Sequence, residues 1–158
     1  MLPQAIQQAP LLADQDTLIA LAKDGTVLLL YGDVPLLTPG TLLRLLEAHR
    51  QHKAAATVLT TMLPDPYGYG RIVRDSDGAI ARIVEERDAS SEQRAIREIN
   101  SGIYAFSASG LFDALHRLAT DNAQGEYYLT DLISMYHQQG RTGAGLCLED
   151  ADELRGIN

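Results

Sequence analysis

The sequence predicts an α/β protein whose mixed sheet is the middle of three layers, and three observations carry that prediction. The runs VLLLYG at 27–32 and AAATVLTTML at 54–63 are apolar without polar alternation, the pattern of strands covered on both faces. The stretch TLLRLLEAHR at 41–50 repeats apolar residues at helical intervals between them. RIVRDSDGAIARIVEE at 71–86 holds an Asp77-Gly78 turn that doubles one strand back on another, so strands of both directions are expected.

Taken in order, residues 4–22 have helical spacing in places, are interrupted by Pro10 and are the least legible part of the chain. A strand over VLLLYG follows, then a loop with Asp33, then a helix capped by Thr38 with Pro39 in its first position. The strand at 54–63 stops at Pro64-Asp65-Pro66, and the hairpin comes next. A polar excursion, ERDASSEQRAIRE, leads into the strand EINSGIYAFS, whose Ser107 and Ser109 are placed to cap the helix of GLFDALHRLA. YLTDLISMYHQQ reads as a helix ended by Gly140 in left-handed geometry, and GAGLCLED as a last strand. Neither repeat nor linker divides the 158 residues, which are expected to form one domain.

Composition narrows the function. Apolar residues make up 46% of the chain, enough for a core, and 13 Lys+Arg against 21 Asp+Glu give a net charge of -8. A nucleic-acid binder needs a basic surface that releases counterions, so that class is disfavoured. The single cysteine, Cys147, forms no internal disulfide and is expected inside a buried strand. No run reaches the roughly 18 apolar residues of a membrane span, and no secretory signal opens the chain, so a soluble cytoplasmic protein without membrane partners is expected.

Five features carry possible chemistry. Asp33 lies beyond the carboxyl end of a strand, where open α/β sheets bind ligands, and is compatible with a metal ligand, a cap or an Asx turn. In PDPYGYGRI, Gly68 and Gly70 let backbone approach a ligand, or simply turn the chain. Glu85 ends a hairpin strand as an acceptor for paired hydroxyls or as a solvated strand end. Asn100, with Gly102 two residues on, can read a ligand through its donor and acceptor, or pin the local backbone. In AQGEYYLTD, Glu126 and Thr130 begin a helix by capping it, while Tyr127 and Tyr128 pack. His49 and His52 lack further ligands and read as surface residues; a nucleophile elbow, a Cys/His pair and a Walker loop are all absent.

The segments YGDVPLLTPGTL, DPYGYGRIVR, IVEERDAS, REINSGIYAF, NAQGEYYLTD and ELRGIN, in that order, resemble the N-terminal uridylyltransferase domain of the bacterial bifunctional N-acetylglucosamine-1-phosphate uridyltransferase family. The resemblance covers residues 26–158, with 1–25 matching poorly, and implies a Rossmann-like nucleotide-diphospho-sugar transferase fold. It implies transfer of UMP from UTP to N-acetylglucosamine 1-phosphate, giving pyrophosphate and UDP-N-acetylglucosamine, a peptidoglycan precursor. It further implies that Tyr31, Gly32 and Asp33 line the nucleotide-sugar site, that Asp33 and Asn158 hold a catalytic Mg²⁺, and that Gly70, Glu85 and Asn100 meet the sugar.

The family's first strand and basic glycine-rich loop have no counterpart here, nor does its acetyltransferase domain. A partial domain is therefore expected, with its N-terminal nucleotide-binding part missing and its turnover impaired. A sugar-phosphate-binding module, or one half of a split enzyme, is the alternative. Unless residues 1–25 cover it, VLLLYG is expected to leave a sheet edge bare and open to self-association.

Overall fold

The computed structural model describes residues 11–13, 17–21, 25–31, 34 and 36–154. In chain order the strands are β1 (Leu11–Ala13), β2 (Thr17–Leu21), β3 (Thr26–Tyr31), β4 (Ala56–Met62), β5 (Arg71–Arg74), β6 (Ile80–Val84), β7 (Glu98–Ser107) and β8 (Gly143–Leu148). The helices are α1 (Pro39–Gln51), α2 (Ser91–Arg94), α3 (Leu111–Leu115) and α4 (Asp131–Gln138), and a 3-10 turn spans Ala151–Leu154. The sheet runs β1-β2-β3-β7-β4-β8, with β5 and β6 attached through β5 to β7. Among the described residues only β4 and β8 pair in parallel, so the sheet is mixed.

Side chains alternate across each strand, and the alternation sorts the core into two layers. Leu28 and Leu30 of β3, Leu59 of β4 and Ile103 and Ala105 of β7 face α1, which buries Leu42, Leu45 and Leu46 against them. Helix α1 starts as its sequence indicates: the Thr38 hydroxyl accepts from the Thr41 amide at 3.2 Å, and Pro39 follows. On the opposite face Val58, Tyr104 and Phe106 meet the β5–β6 hairpin through Ile72, Ile80 and Ile83, and α3 and α4 through Leu111, Ala114, Leu132 and Ile133. The α/β three-layer fold predicted from sequence is the observed one.

Several local expectations change. Within the stretch where helical spacing is partial, Leu11–Ala13 and Thr17–Leu21 form the two strands β1 and β2. Because β2 pairs with β3 along Thr17–Leu21, β3 has hydrogen-bonded neighbours on both sides, and residues within 1–25 supply the cover without which its edge is expected to be bare. Its burial nevertheless alternates: Leu28 and Leu30 are buried, Val27 and Leu29 half-buried and Tyr31 exposed. Cys147 is exposed because β8 is an edge strand rather than an interior one.

His49 is 4% exposed, not a surface residue. Its Nδ1 lies 2.9 Å from the Thr57 hydroxyl and its Nε2 3.2 Å from Ser107 Oγ, so both ring nitrogens are satisfied inside the core. Ser107 in turn donates to the Ala54 carbonyl at 2.8 Å, and that engagement takes it away from capping α3. The N-cap of α3 is Gly110, in left-handed geometry and without a side-chain bond. Gly140 does take left-handed φ after α4, and the polar excursion holds the short helix α2, closed by a Ser90/Gln93 capping box. Among the described residues no helix is long and apolar enough to cross a membrane.

Candidate functional site

Four of the residues singled out in the sequence meet at one corner of the sheet, on the hairpin face and at the carboxyl end of β3. Period-2 alternation along β7 directs Asn100, Gly102 and Tyr104 to that face, and Tyr31 ends β3 on the same side. The pairing of β7 with β4 shifts register between Val58 and Thr60, so β7 bulges at 101–103. Bulges re-aim side chains, and this one presents Asn100 and Gly102 together.

Asn100 is oriented by its own strand. Its Oδ1 accepts from the Gly102 amide at 2.9 Å and from the Tyr104 hydroxyl at 2.9 Å. A backbone N–H requires the oxygen on that side, which fixes the amide's orientation and leaves Nδ2 without a partner among the described residues. Asn100 therefore does both things its sequence context allows: its acceptor pins the bulge, and its donor faces outward. Tyr104 is fully buried, and that burial drives its hydroxyl pKa far upward, so it stays a neutral donor.

Gly102, at φ +81°, makes room for Tyr31. A Cβ at Gly102 would lie 2.7 Å from Tyr31 Cε2, so the Tyr31 ring rests on bare backbone and keeps 38% of its surface exposed. Gly70 plays the matching part on the hairpin. A Cβ there would lie 3.1 Å from Ile83 Cγ2 and 3.4 Å from both Glu85 carboxylate oxygens. The Gly70 carbonyl accepts from the Asn100 amide at 2.9 Å, which ties hairpin to sheet.

Glu85 is half-buried rather than a solvated strand end. The Thr130 hydroxyl donates to its Oε1 at 3.0 Å, and Oε2 accepts nothing from the described residues. Burial raises its pKa; the Thr130 bond opposes the shift, and the nearby Asp88 and Asp131 charges add to it. A recess of about 320 Å³ opens beside it, lined in part by Asp88, Asp121, Tyr128 and Asp131. Such a rim, in which Arg82 stands among the acids, accepts hydrogen bonds from hydroxyl-rich ligands.

Thr130 occupies the N-cap position of α4 without capping it, because its hydroxyl is spent on Glu85. Of its neighbours, Tyr127 is largely exposed rather than packed, and Glu126 lies in the loop before α4. Sequence reasoning missed Tyr104 and the role of Thr130; alternation from Asn100 would have found the first, and nothing local signals the second. Gly32, Asp33 and Asn158 lie outside the described residues. Among the described residues no group of three or more His, Cys, Asp or Glu could hold a metal.

Comparison with known proteins decides the family. Residues 3–152 match the family described as nucleotidyl transferase. The chain belongs to that family. The chain is also 53% identical over 134 residues to the bifunctional protein GlmU of Pelobacter propionicus and 57% identical over 134 residues to that of Syntrophotalea carbinolica. To the same protein of Brevibacillus brevis it is 50% identical over 152 residues. These alignments cover 85%, 85% and 96% of this chain, but 29%, 29% and 31% of the relatives, so the chain spans about three-tenths of their length. The resemblance drawn from the six ordered segments agrees with these matches, as does the nucleotide-diphospho-sugar transferase fold.

Proposed function

We propose that this nucleotidyl transferase binds N-acetylglucosamine 1-phosphate at the Tyr31–Gly70–Glu85–Asn100 corner and takes part in uridylyl transfer from UTP, with UDP-N-acetylglucosamine and pyrophosphate as products. The observation that supports this most is the convergence itself. Residues 31, 70, 85 and 100, distant in sequence, are joined through Gly102, the Gly70 carbonyl and the Gly70–Glu85 contact.

The chemistry follows from what each group has left to offer. Asn100 Nδ2 donates to a carbonyl or hydroxyl of the sugar, and Glu85 Oε2 accepts from its hydroxyls while Thr130 holds Oε1. The bare Cα of Gly70 lets Ile83 and the Glu85 carboxylate pack close beside it, which sets Glu85 at the corner, and Tyr31 offers a face for stacking. With the sugar so held, its phosphate oxygen attacks the α-phosphorus of UTP and pyrophosphate leaves. Alignment supplies much of such an acceleration and no covalent enzyme intermediate is required. Asp33 and Asn158, both oxygen donors of the kind Mg²⁺ takes, are the residues that would hold the ion, which when bound neutralises phosphate charge.

Isothermal titration of the chain with N-acetylglucosamine 1-phosphate, with pyrophosphate release followed in parallel in the presence of UTP and Mg²⁺, tests the proposal. Binding abolished by Asn100→Ala is expected, and no heat with the wild type would overturn it. Binding without pyrophosphate release would restrict the chain to a sugar-phosphate-binding module.

A further inference from the structure

We propose that Arg71 and Glu86 are positioning residues, a clasp on the far side of the hairpin that holds the 65–70 loop so that Gly70 keeps Glu85 and Asn100 in place at the ligand corner. The inference rests on the sugar site proposed above. Consecutive residues of a hairpin face opposite ways, and here the alternation divides two tasks. Gly70 and Glu85 touch each other on the ligand face, whereas their neighbours Arg71 and Glu86 pair on the other.

Arg71 is 2% exposed, a rare burial for a guanidinium. Its Nη2 donates to Glu86 Oε2 at 2.7 Å, its Nη1 donates to the Tyr69 carbonyl, and its buried Nε has no partner. Glu86 Oε2 also accepts from the Gly68 amide at 3.3 Å, while Arg94 lies 3.4 Å from Oε1 and donates to the Glu86 carbonyl. The pair thus grips the loop at two peptide groups, those of Gly68 and Tyr69, directly before Gly70.

A buried ion pair contributes little net stability, because desolvating two charges offsets their attraction. An orphaned Nε makes this one less favourable still. What the pair does secure is loop geometry. With Tyr69 held by its carbonyl and Gly68 by its amide, Gly70 is left with its carbonyl on the Asn100 amide and its bare Cα beside Glu85. Burial pushes the Glu86 carboxyl up, but the Arg71 and Gly68 hydrogen bonds and the Arg71 and Arg94 charges together take it below the usual range, so the clasp stays ionised at neutral pH.

The test joins amide exchange, read by NMR without ligand, to titration with N-acetylglucosamine 1-phosphate. In Arg71→Met and Glu86→Ala, the Gly68, Gly70 and Asn100 amides are expected to exchange about tenfold faster or more, while amides of the β4–β8 ladder keep their protection. Affinity is expected to fall by about 10-fold or more in both. Glu86→Gln, which keeps an acceptor for Arg71 and Gly68, is expected to recover most of both readouts.

Unchanged loop exchange in the variants would overturn the clasp, as would a uniform loss of protection that follows global stability. Should Arg71→Met fail to fold, Glu86→Ala, at a side chain 19% exposed, decides the matter alone. If the wild type binds no N-acetylglucosamine 1-phosphate, the functional reading falls and the exchange data still decide whether the clasp holds the loop.

Discussion

The two faces of the central sheet are built from the same strands and spend their residues differently. The face under α1 is filled mainly by leucine, isoleucine, valine and alanine, with Leu28, Leu45 and Ile103 wholly buried and His49 hydrogen-bonded to Thr57 and Ser107 as its buried polar exception. The hairpin face has an apolar centre but carries, at one end, Glu85, Asn100, Tyr104, Thr130 and two glycines, with Arg71 buried at the back of the hairpin. Apolar packing is non-directional, so the first face asks only for volume and the correct period. The second demands a partner for every buried donor and acceptor, and it leaves Asn100 Nδ2 and Glu85 Oε2 open. Both faces contribute apolar packing, and recognition is confined to one end of the hairpin face.

The largest loss of stability without loss of recognition is expected from the face that does no chemistry. Leu45→Ala removes a wholly buried side chain between α1 and the sheet and is expected to cost about 2–5 kcal/mol in chemical denaturation. Affinity for N-acetylglucosamine 1-phosphate, measured on the folded fraction, should stay within about twofold, since Leu45 lies across the sheet from Asn100. A collapse of affinity at retained fold would join the two faces and break the comparison.

Gly102→Ala comes next, and its effect is divided. The left-handed φ and a Cβ 2.7 Å from the Tyr31 ring together are expected to cost about 1–3 kcal/mol. The strain is relieved by displacing Tyr31, so the ligand should be lost even in molecules that remain folded. Tyrosine fluorescence together with titration reads both effects; wild-type affinity would show that Tyr31 takes no part in binding.

How far each face could be read from the sequence follows the same physics. The α1 face was legible because period and capping are local: Thr38-Pro39 marked the helix start, and the runs at 27–30 and 54–63 marked two of the strands beneath it. On the hairpin face Asp77-Gly78 announced the turn, and Asn100 stood out as an amide before an apolar strand. Arg71 within RIVR carries no local signal of burial, because its pairing with Glu86 across the hairpin is one no local pattern reports. Thr130 and Ser107 were misread for a related reason, since a hydroxyl near a helix start favours capping until a distant partner, Glu85 or Ala54, competes for it. His49 was hidden likewise: its hydroxyl partners lie 8 and 58 residues away.

The smallest effect sharpens the comparison most, because it should run in the opposite direction. Glu85 has a folded-state pKa above its ordinary value, with burial the main cause. Below the ordinary carboxylate range the group is protonated in both states and costs nothing through this linkage. As pH rises through that range to the raised value, the unfolded chain releases its proton first and the folded chain binds more protons, so stability falls. Above the raised value the full penalty is present. Glu85→Gln keeps an acceptor for Thr130 and removes the charge, so it should raise Tm at pH 7 by a few degrees at most, of the order of 1–3 °C. The gain should shrink towards zero as the pH is taken below the carboxylate range, and ligand affinity should fall at the same time. Gained stability with lost binding identifies Glu85 as a group kept in an unfavourable place for what it binds. A variant that is less stable at pH 7 would instead make Glu85 a structural acceptor for Thr130, and the open oxygen would lose its meaning.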